Sequence, residues 1–239
     1  MNASRTARDR ARAELTREIT EEARRQVASE GAQRLSLRAV ARELGMVSSA
    51  LYRYFPSRDD LLTQLIIDAY DGLGEAVERA DDGIPAGDPR ARWTAKCAAA
   101  RAWAVAHRHE YALIYGTPVP GYQAPEATVG HASRVPVALL GVVRDARDAG
   151  LLAEPPARRG PLAPELVAQG ELAASLVAID LPPEAAVRAV IAWSQLSGMI
   201  GFELFGTFAG SFDPADAFFT EAVARMADLV GLVGPPDGG

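Results

Sequence analysis

Apolar positions recur every three or four residues along most of this chain, and nothing alternates with period two over a useful length, so the pattern predicts an all-α protein. Leu15, Ile19, Ala23 and Val27 repeat every four residues and give the first helix an apolar stripe before Gly31 ends it. Ser36 is a good N-cap, and Leu37, Val40, Ala41 and Leu44 share one face up to Gly45, which supplies the left-handed residue that ends that helix. After the turn Gly45-Met46-Val47, a short helix from Ser48 to Tyr54 buries Leu51 and Phe55. It leaves Ser48, Ser49, Ala50, Tyr52 and Arg53 outside. Pro56 stops it, and Ser57 caps a long helix with Asp59 and Asp60 in its first turn, continuing through Leu61, Leu62, Leu65, Ile66 and Ala69 to about Ala80. Two short helices joined by a glycine turn are the layout of a helix-turn-helix, whose second helix suits the DNA major groove.

Beyond a Gly-, Asp- and Pro-rich loop at Asp81 to Pro89, the pattern predicts body helices over Arg90 to Arg108, with Trp93, Cys97, Ala100 and Trp103, and over Glu110 to Tyr115. Thr117 to Gly130 is broken by Pro118, Pro120, Gly121 and Pro125. Helices follow at about His131 to Ala149, Pro164 to Ile179, Pro183 to Phe208 and Pro214 to Val233, with a Pro-rich loop at Glu154 to Pro161. The expected domains are residues 1–60 and 61–239, bridged by the helix from about 57 to 80. The last helix carries Phe218, Phe219, Ala222, Val223, Met226, Leu229 and Val230, a stripe that needs either a partner or its own body to cover it.

Charge changes this picture. At 239 residues the chain has room for two modules, and its net charge of -6 is unevenly spread. Residues 1–58 hold 12 arginines against 7 carboxylates (+5), leaving 13 basic and 24 acidic groups in the rest (-11). A basic module on an acidic body turns one face toward phosphate. Arg5, Arg8, Arg10 and Arg12 lie in a stretch without an apolar run, so Met1 to Arg12 is read as neither secretory signal nor membrane anchor, but as an arm reaching the DNA backbone or minor groove, or as a disordered tail. The uncharged run Ala189 to Phe202 is too short to span a bilayer and reads as a buried helix.

Candidate chemistry is sparse. Cys97 is alone, which excludes a disulfide within one chain and fits a reducing, cytoplasmic setting. Lys96, the single lysine, is read as a matter of genomic base composition. His107 and His109 would point about 200 degrees apart on a helix and cannot share a metal, and His131 is isolated. No nucleophile elbow, Cys-x-x-Cys pair, Walker loop or dinucleotide fingerprint is present, so no catalytic residue, metal or cofactor is expected.

The segment LRAVARELGMVSSALYRYFPSRDDLL, with its apolar-Ala pair, Gly, small residues, Leu-Tyr-x-x-Phe and a basic residue before Asp-Leu-Leu, resembles the DNA-binding domain of the TetR/AcrR family of bacterial transcriptional regulators, over about residues 10–70. Val47 departs from the pattern, standing where the family usually has a capping Ser. Losing such a cap costs about 1 kcal/mol, so Ser48 is expected to take over and the helix to start one residue later. The resemblance implies that Arg38, Ser48, Ser49 and Ala50 face base edges while Tyr52, Tyr54 and Arg58 hold the phosphate backbone. Arginine suits the first role because its fork matches guanine O6 and N7, whereas hydroxyls make weaker, positioning contacts. The bland alternatives are a core aromatic at Tyr54 and a solvated arginine at position 38.

The segments RAWAVAHRHEYALIYGTPVPGY and WSQLSGMIGFELFG are similar to the C-terminal ligand-binding domain of one subgroup of that family, named for a tryptophan and glycine motif. In that subgroup the ligand cavity lies between body helices and the last two helices form a four-helix dimer interface. The resemblance implies an effector pocket involving Trp103, Tyr111, Tyr115, Trp193 and Phe202, each also readable as plain core, and a homodimer interface at Phe218, Phe219, Ala222, Val223, Met226, Leu229 and Val230. Glu203, in an otherwise apolar segment, is expected to meet an arginine or orient a ligand. The combined expectation is a homodimer on a palindromic double-stranded operator, released by a small, largely apolar effector that alters the spacing of about 34 to 36 Å between recognition helices. The alternatives are a ligand-binding or enzymatic protein with a vestigial helix-turn-helix, and a regulator answering to a protein partner or to redox at Cys97.

Overall fold

The computed structural model describes residues 2–153 and 160–234, with side chains from residue 8 onward. Its helices are α1 (Asn2–Glu30), α2 (Leu37–Glu43), α3 (Ser48–Leu51), α4 (Arg58–Arg79), α5 (Pro89–Ala106), α6 (Arg108–Tyr115), α7 (Val129–Ala132), α8 (Arg134–Asp148), α9 (Pro164–Leu176), α10 (Pro183–Leu204) and α11 (Asp216–Val230). Among the described residues there is no strand, only an isolated bridge between Leu152 and Leu232.

Several boundaries differ from expectation. Residues from Asn2 continue α1, so the basic segment is a helix and not an arm or a disordered tail. Its arginines and alanines are good helix formers. α5 ends at Ala106 because His107 leaves helical geometry (φ -122, ψ 48), so His107 and His109 do not share a helix. α10 ends at Leu204 instead of Phe208. There Gly206 adopts φ 78 and the Thr207 N–H closes back onto the Phe202 carbonyl at 2.8 Å. Most of the Pro-rich loop Glu154 to Pro161 lies outside the described residues.

Packing divides the chain into two units, and the dividing lines are not at residue 60. The first holds the chain up to Tyr70 together with His109–Val129. Its core joins Ile19, Ala23 and Val27 of α1, Leu37, Val40 and Ala41 of α2, Leu51 and Phe55, and Leu61, Leu62, Leu65 and Ile66 of α4. Leu113, Ile114, Val119 and Tyr122 add a wall absent from a bare three-helix module. Polar ties fix it there, with Thr63 Oγ1 2.9 Å from the Tyr122 hydroxyl and Arg24 bridging Asp68 and Glu110.

The second unit comprises Asp71–Arg108 and the chain from Gly130. Trp93 and Cys97 of α5, Leu139 and Val143 of α8, Leu196 and Ile200 of α10, and Val223 and Met226 of α11 form its centre. The α11 stripe is therefore used at home. Phe219, Ala222, Val223, Met226 and Val230 are buried within the single chain, and only Phe218 and Leu229 are partly open. α5 and α10 supply the apolar wall that covers most of the stripe expected at the dimer interface.

α10, at 22 residues, is long and apolar enough to cross a membrane by length and composition, contrary to the shorter span read from the sequence. Its inner face, including Ala189, Ala192, Leu196 and Ile200, packs in the unit's core. Its outer face exposes Ile191 and Phe202, with Phe205 just past its end, each about half exposed, and α9 exposes Leu172 and Leu176.

Lys96 is buried, with its side chain 5% exposed. Its ammonium donates to the carbonyls of Val77 and Glu78, at 3.1 and 3.2 Å, and to Asp81 Oδ1 at 2.6 Å. It thus satisfies acceptors that the last turn of α4 leaves open. Arg92 joins the same carboxylate at 2.8 Å and reaches Asp145 at 3.1 Å.

Candidate nucleic-acid interface

The turn between α2 and α3 is fixed from both ends by local chemistry. Ser36 Oγ accepts the Ala39 N–H at 3.4 Å, and the Ser36 N–H donates to Gln26 Oε1 at 3.0 Å, tying the cap of α2 to α1. At the other end Gly45, with φ 65, lets the Met46 N–H return to the Ala41 carbonyl at 2.8 Å. A side chain with a Cβ is strained in that conformation. Leu37, Val40 and Ala41 then face inward and Arg38 faces solvent.

α3 starts at Ser48, but Ser48 is not its cap. Val47 occupies the N-cap position (φ -71, ψ 135) with no side-chain hydrogen bond, and its side chain is largely exposed. The missing cap does not move the helix, because Leu51, fully buried, anchors its single turn and Phe55 holds the segment after it. Turns close the rest: Tyr52 N–H to the Ser48 carbonyl at 3.1 Å and Phe55 N–H to the Leu51 carbonyl at 3.1 Å. Ser49, Tyr52 and Arg53 are exposed, while Ser48, Ala50 and Tyr54 are half-buried. Ser57 Oγ then accepts the Asp60 N–H at 3.1 Å and donates to Asp60 Oδ2 at 2.7 Å, a reciprocal cap that starts α4.

Two arginines depart from the sequence reading. Arg58, assigned to phosphate, turns inward: Nε donates to the Leu35 carbonyl at 3.1 Å, Nη2 to Ala32 and Gln33, and Nη1 to Asp59. It holds the turn between α1 and α2. Arg58→Ala should therefore lower thermal stability by about 1 to 2 kcal/mol and leave the salt dependence of DNA binding unchanged. A salt slope reduced by one, with no loss of stability, would restore the phosphate role. Arg12, not singled out for a contact, lies over the Tyr54 ring at 5.0 Å, where a cation meets the face of the aromatic.

The aromatic effector candidates are dispersed. Tyr111 is buried in the first unit against Tyr115, ring centroids 5.0 Å apart, and burial pushes its phenol pKa up. In the second unit Trp103 stacks on His107 at 4.8 Å. Trp193 is half-buried there, and among the described residues its indole N–H has no acceptor. Phe202 lies at the surface, edge-on to Phe208.

An open cleft of about 550 Å³ in the second unit is lined instead by Ala98, Ala102, Val105, Phe219 and Val223 with Arg101, Glu203 and Asp216. Glu203 does meet an arginine, as expected: it takes the Arg101 fork through two bonds of 2.7 Å. Asp216 accepts from Arg101 Nη1 at 2.9 Å. These bonds, Glu203's above all, hold the guanidinium firmly protonated. Cys97 is fully buried and burial pushes its thiol pKa up, which disfavours the reactive thiolate.

Comparison with known proteins places this geometry among relatives. A family model described as bacterial regulatory proteins, tetR family, matches residues 19–65, and one described as the tetracyclin repressor-like C-terminal domain matches residues 93–226. The chain is 38% identical over 223 residues, 92% of its own length and 94% of the relative's, to the HTH-type transcriptional regulator Rv1816 of Mycobacterium tuberculosis. The same figures hold for the HTH-type transcriptional regulator Mb1846 of Mycobacterium bovis. Among solved structures, the putative regulatory protein SCO4313 superposes with a TM-score of 0.75 at 32% identity, covering 91% of this chain and 97% of that one. A protein of unknown function from Rhodococcus sp. RHA1 gives 0.67 at 26% identity, covering 91% and 95%.

Proposed function

The chain belongs to the TetR family of bacterial transcriptional regulators, and from that premise we propose that it is a ligand-responsive repressor that binds a palindromic operator as a homodimer in the bacterial cytoplasm. The observation that carries the DNA reading is the exposed edge formed by Arg38, Ser49 and Tyr52, set on a core that fixes both helices of the turn. Arg38, Ser48, Ser49 and Ala50 read bases. Tyr52 and Tyr54 hold phosphate, and Arg58 keeps the turn in place.

Dimerisation is assigned to the outer face of α10 with α9, since α11 is spent on the protomer's own core. The effector fits the cleft on α5, α10 and α11 better than a wholly apolar pocket. Its volume lies within the usual range of small-molecule sites, and the Arg101–Glu203–Asp216 cluster on an apolar wall selects an amphipathic molecule. Such a ligand acts by preferring the state in which the recognition helices no longer match successive grooves.

The test is fluorescence anisotropy on a labelled duplex that the wild-type protein selects from random-sequence DNA, with scrambled competitor. Arg38→Ala should cost about 1 to 3 kcal/mol and relax preference at one base position. Equal loss on selected and scrambled duplexes would remove Arg38 from base reading. Failure of the wild-type protein to select any sequence would remove the operator itself.

A further inference from the structure

The match to the tetR-family DNA-binding model begins at residue 19, whereas α1 begins at Asn2. The helix therefore carries a long amino-terminal overhang. At about 1.5 Å per residue, the residues ahead of Leu15 extend roughly 20 Å. The stripe that packs on the core in the second half of the helix, Ile19, Ala23 and Val27 with Leu15 partly covered, runs on upstream through positions 12 and 8 at the same three- and four-residue spacing. There the apolar residues give way to Arg12 and Arg8, both exposed. Residues 5–12 hold four arginines and one carboxylate, Asp9.

Arg12 fixes where this basic edge lies. Its guanidinium sits 5.0 Å from the centre of the Tyr54 ring, so the edge begins beside the carboxyl side of the recognition turn, next to exposed Tyr52 and Arg53. A helix face that is apolar over its own domain turns cationic where it projects past it, with more arginines than the one carboxylate, Asp9, can balance. Among the described residues, no ion pair is made by Arg8 or Arg12 within hydrogen-bonding range. The charge complementarity fits a polyanion continuing past the recognition site.

We infer that the overhang of α1 is a second DNA contact, laying Arg8 and Arg12 on the phosphate backbone that flanks the operator half-site and adding affinity without reading sequence. The inference rests on the DNA-binding reading above. Each phosphate neutralised contributes about 0.9 to the slope of log K against log salt, so loss of the pair in each protomer is visible against the wild-type line.

The experiment is a salt titration of the full chain on the selected duplex, with its flanks intact and with its flanks trimmed to the half-sites, for wild type, Arg8→Gln and Arg8→Gln with Arg12→Gln. On the long duplex the slope should fall by about one per arginine per protomer. The ratio of selected to scrambled affinity should stay unchanged. On the trimmed duplex all three proteins should give one slope. Equal slopes on the long duplex, or a change in the selected-to-scrambled ratio, would overturn the flanking contact. Arg8→Gln alone guards against disturbance of the Arg12–Tyr54 stack, and equal melting temperatures confirm that each variant is folded. Wild-type protein that binds selected and scrambled DNA alike fails the regulator reading itself, an outcome distinct from equal slopes.

Discussion

Lys96→Met should destabilise the second unit by about 3 to 5 kcal/mol, the range for breaking a buried ion pair from one side. Methionine nearly preserves the length and volume of the side chain, so the loss reports the ammonium and not a cavity. Three acceptors are abandoned at once: the Val77 and Glu78 carbonyls at the end of α4, and Asp81. Arg92 remains on Asp81 but approaches the other carboxylate oxygen; the Glu78 carbonyl loses its ammonium donor and that of Val77 keeps only the Ala80 N–H at 3.4 Å. Lys96→Arg should rescue little, because a planar fork does not replace a compact ammonium in a closed site. Thermal melts check this. A melting temperature within about 2 °C of wild type, less than 1 kcal/mol for a chain of this size, would mean that water or Arg92 takes over the ammonium's role.

Acid separates the electrostatic part from any packing part. Burial alone raises the Asp81 carboxyl, but hydrogen bonds from Lys96 and Arg92 together outweigh it and hold the group below its ordinary value. Glu78, through its bonds to Arg134, and Asp71 and Asp145, through theirs, are held low as well. For groups depressed in the folded state, stability is fully present above the unfolded carboxylate pKa near 4. It is lost as pH falls through the folded values. The gap between wild type and Lys96→Met should therefore be largest near neutral pH and narrow as the pH drops below about 4.

What the sequence showed and hid follows a physical rule. Caps and turns are local, so Ser36, Gly45 and Ser57 were readable from spacing, and each makes the bond its position implies. Long-range polar partners are not local. Arg58 sits at a motif position associated with phosphate, yet its carbonyl acceptors lie 23 to 26 residues upstream, on a turn that only folding brings near. A solitary lysine carries no sign of the helix end that it closes. The α11 stripe announced burial correctly, but periodicity names the covered face and never the cover. The overhang of α1 was ambiguous because arginine and alanine favour helix whether or not anything packs on it.

Replacing both Phe202 and Phe205 by Glu should turn a dimer into monomers at micromolar concentration and weaken operator binding at least 100-fold, because each half-site then binds without its tethered neighbour. Both rings are about half exposed on the protomer, so the charges meet water there and the fold should survive. Met226→Glu buries a charge in the core and should fail to fold, which separates interface from interior on adjoining helices.

Gly198 supplies the sharper variant. It shares the outer stripe of α10 with Ile191, Gln195, Phe202 and Phe205, and a Cβ at that position would meet nothing within 4 Å in the single chain. Leucine there is accommodated by the protomer and favours the helix by nearly 1 kcal/mol. A partner helix seated on the stripe would lose its close approach. Gly198→Leu should thus raise the stability of the protomer while lowering dimer affinity, and sedimentation together with thermal melts reads both effects. If Gly198→Leu and the double glutamate variant both stay dimeric, the two-fold axis runs through another face, and the spacing of the two recognition helices must be argued from there.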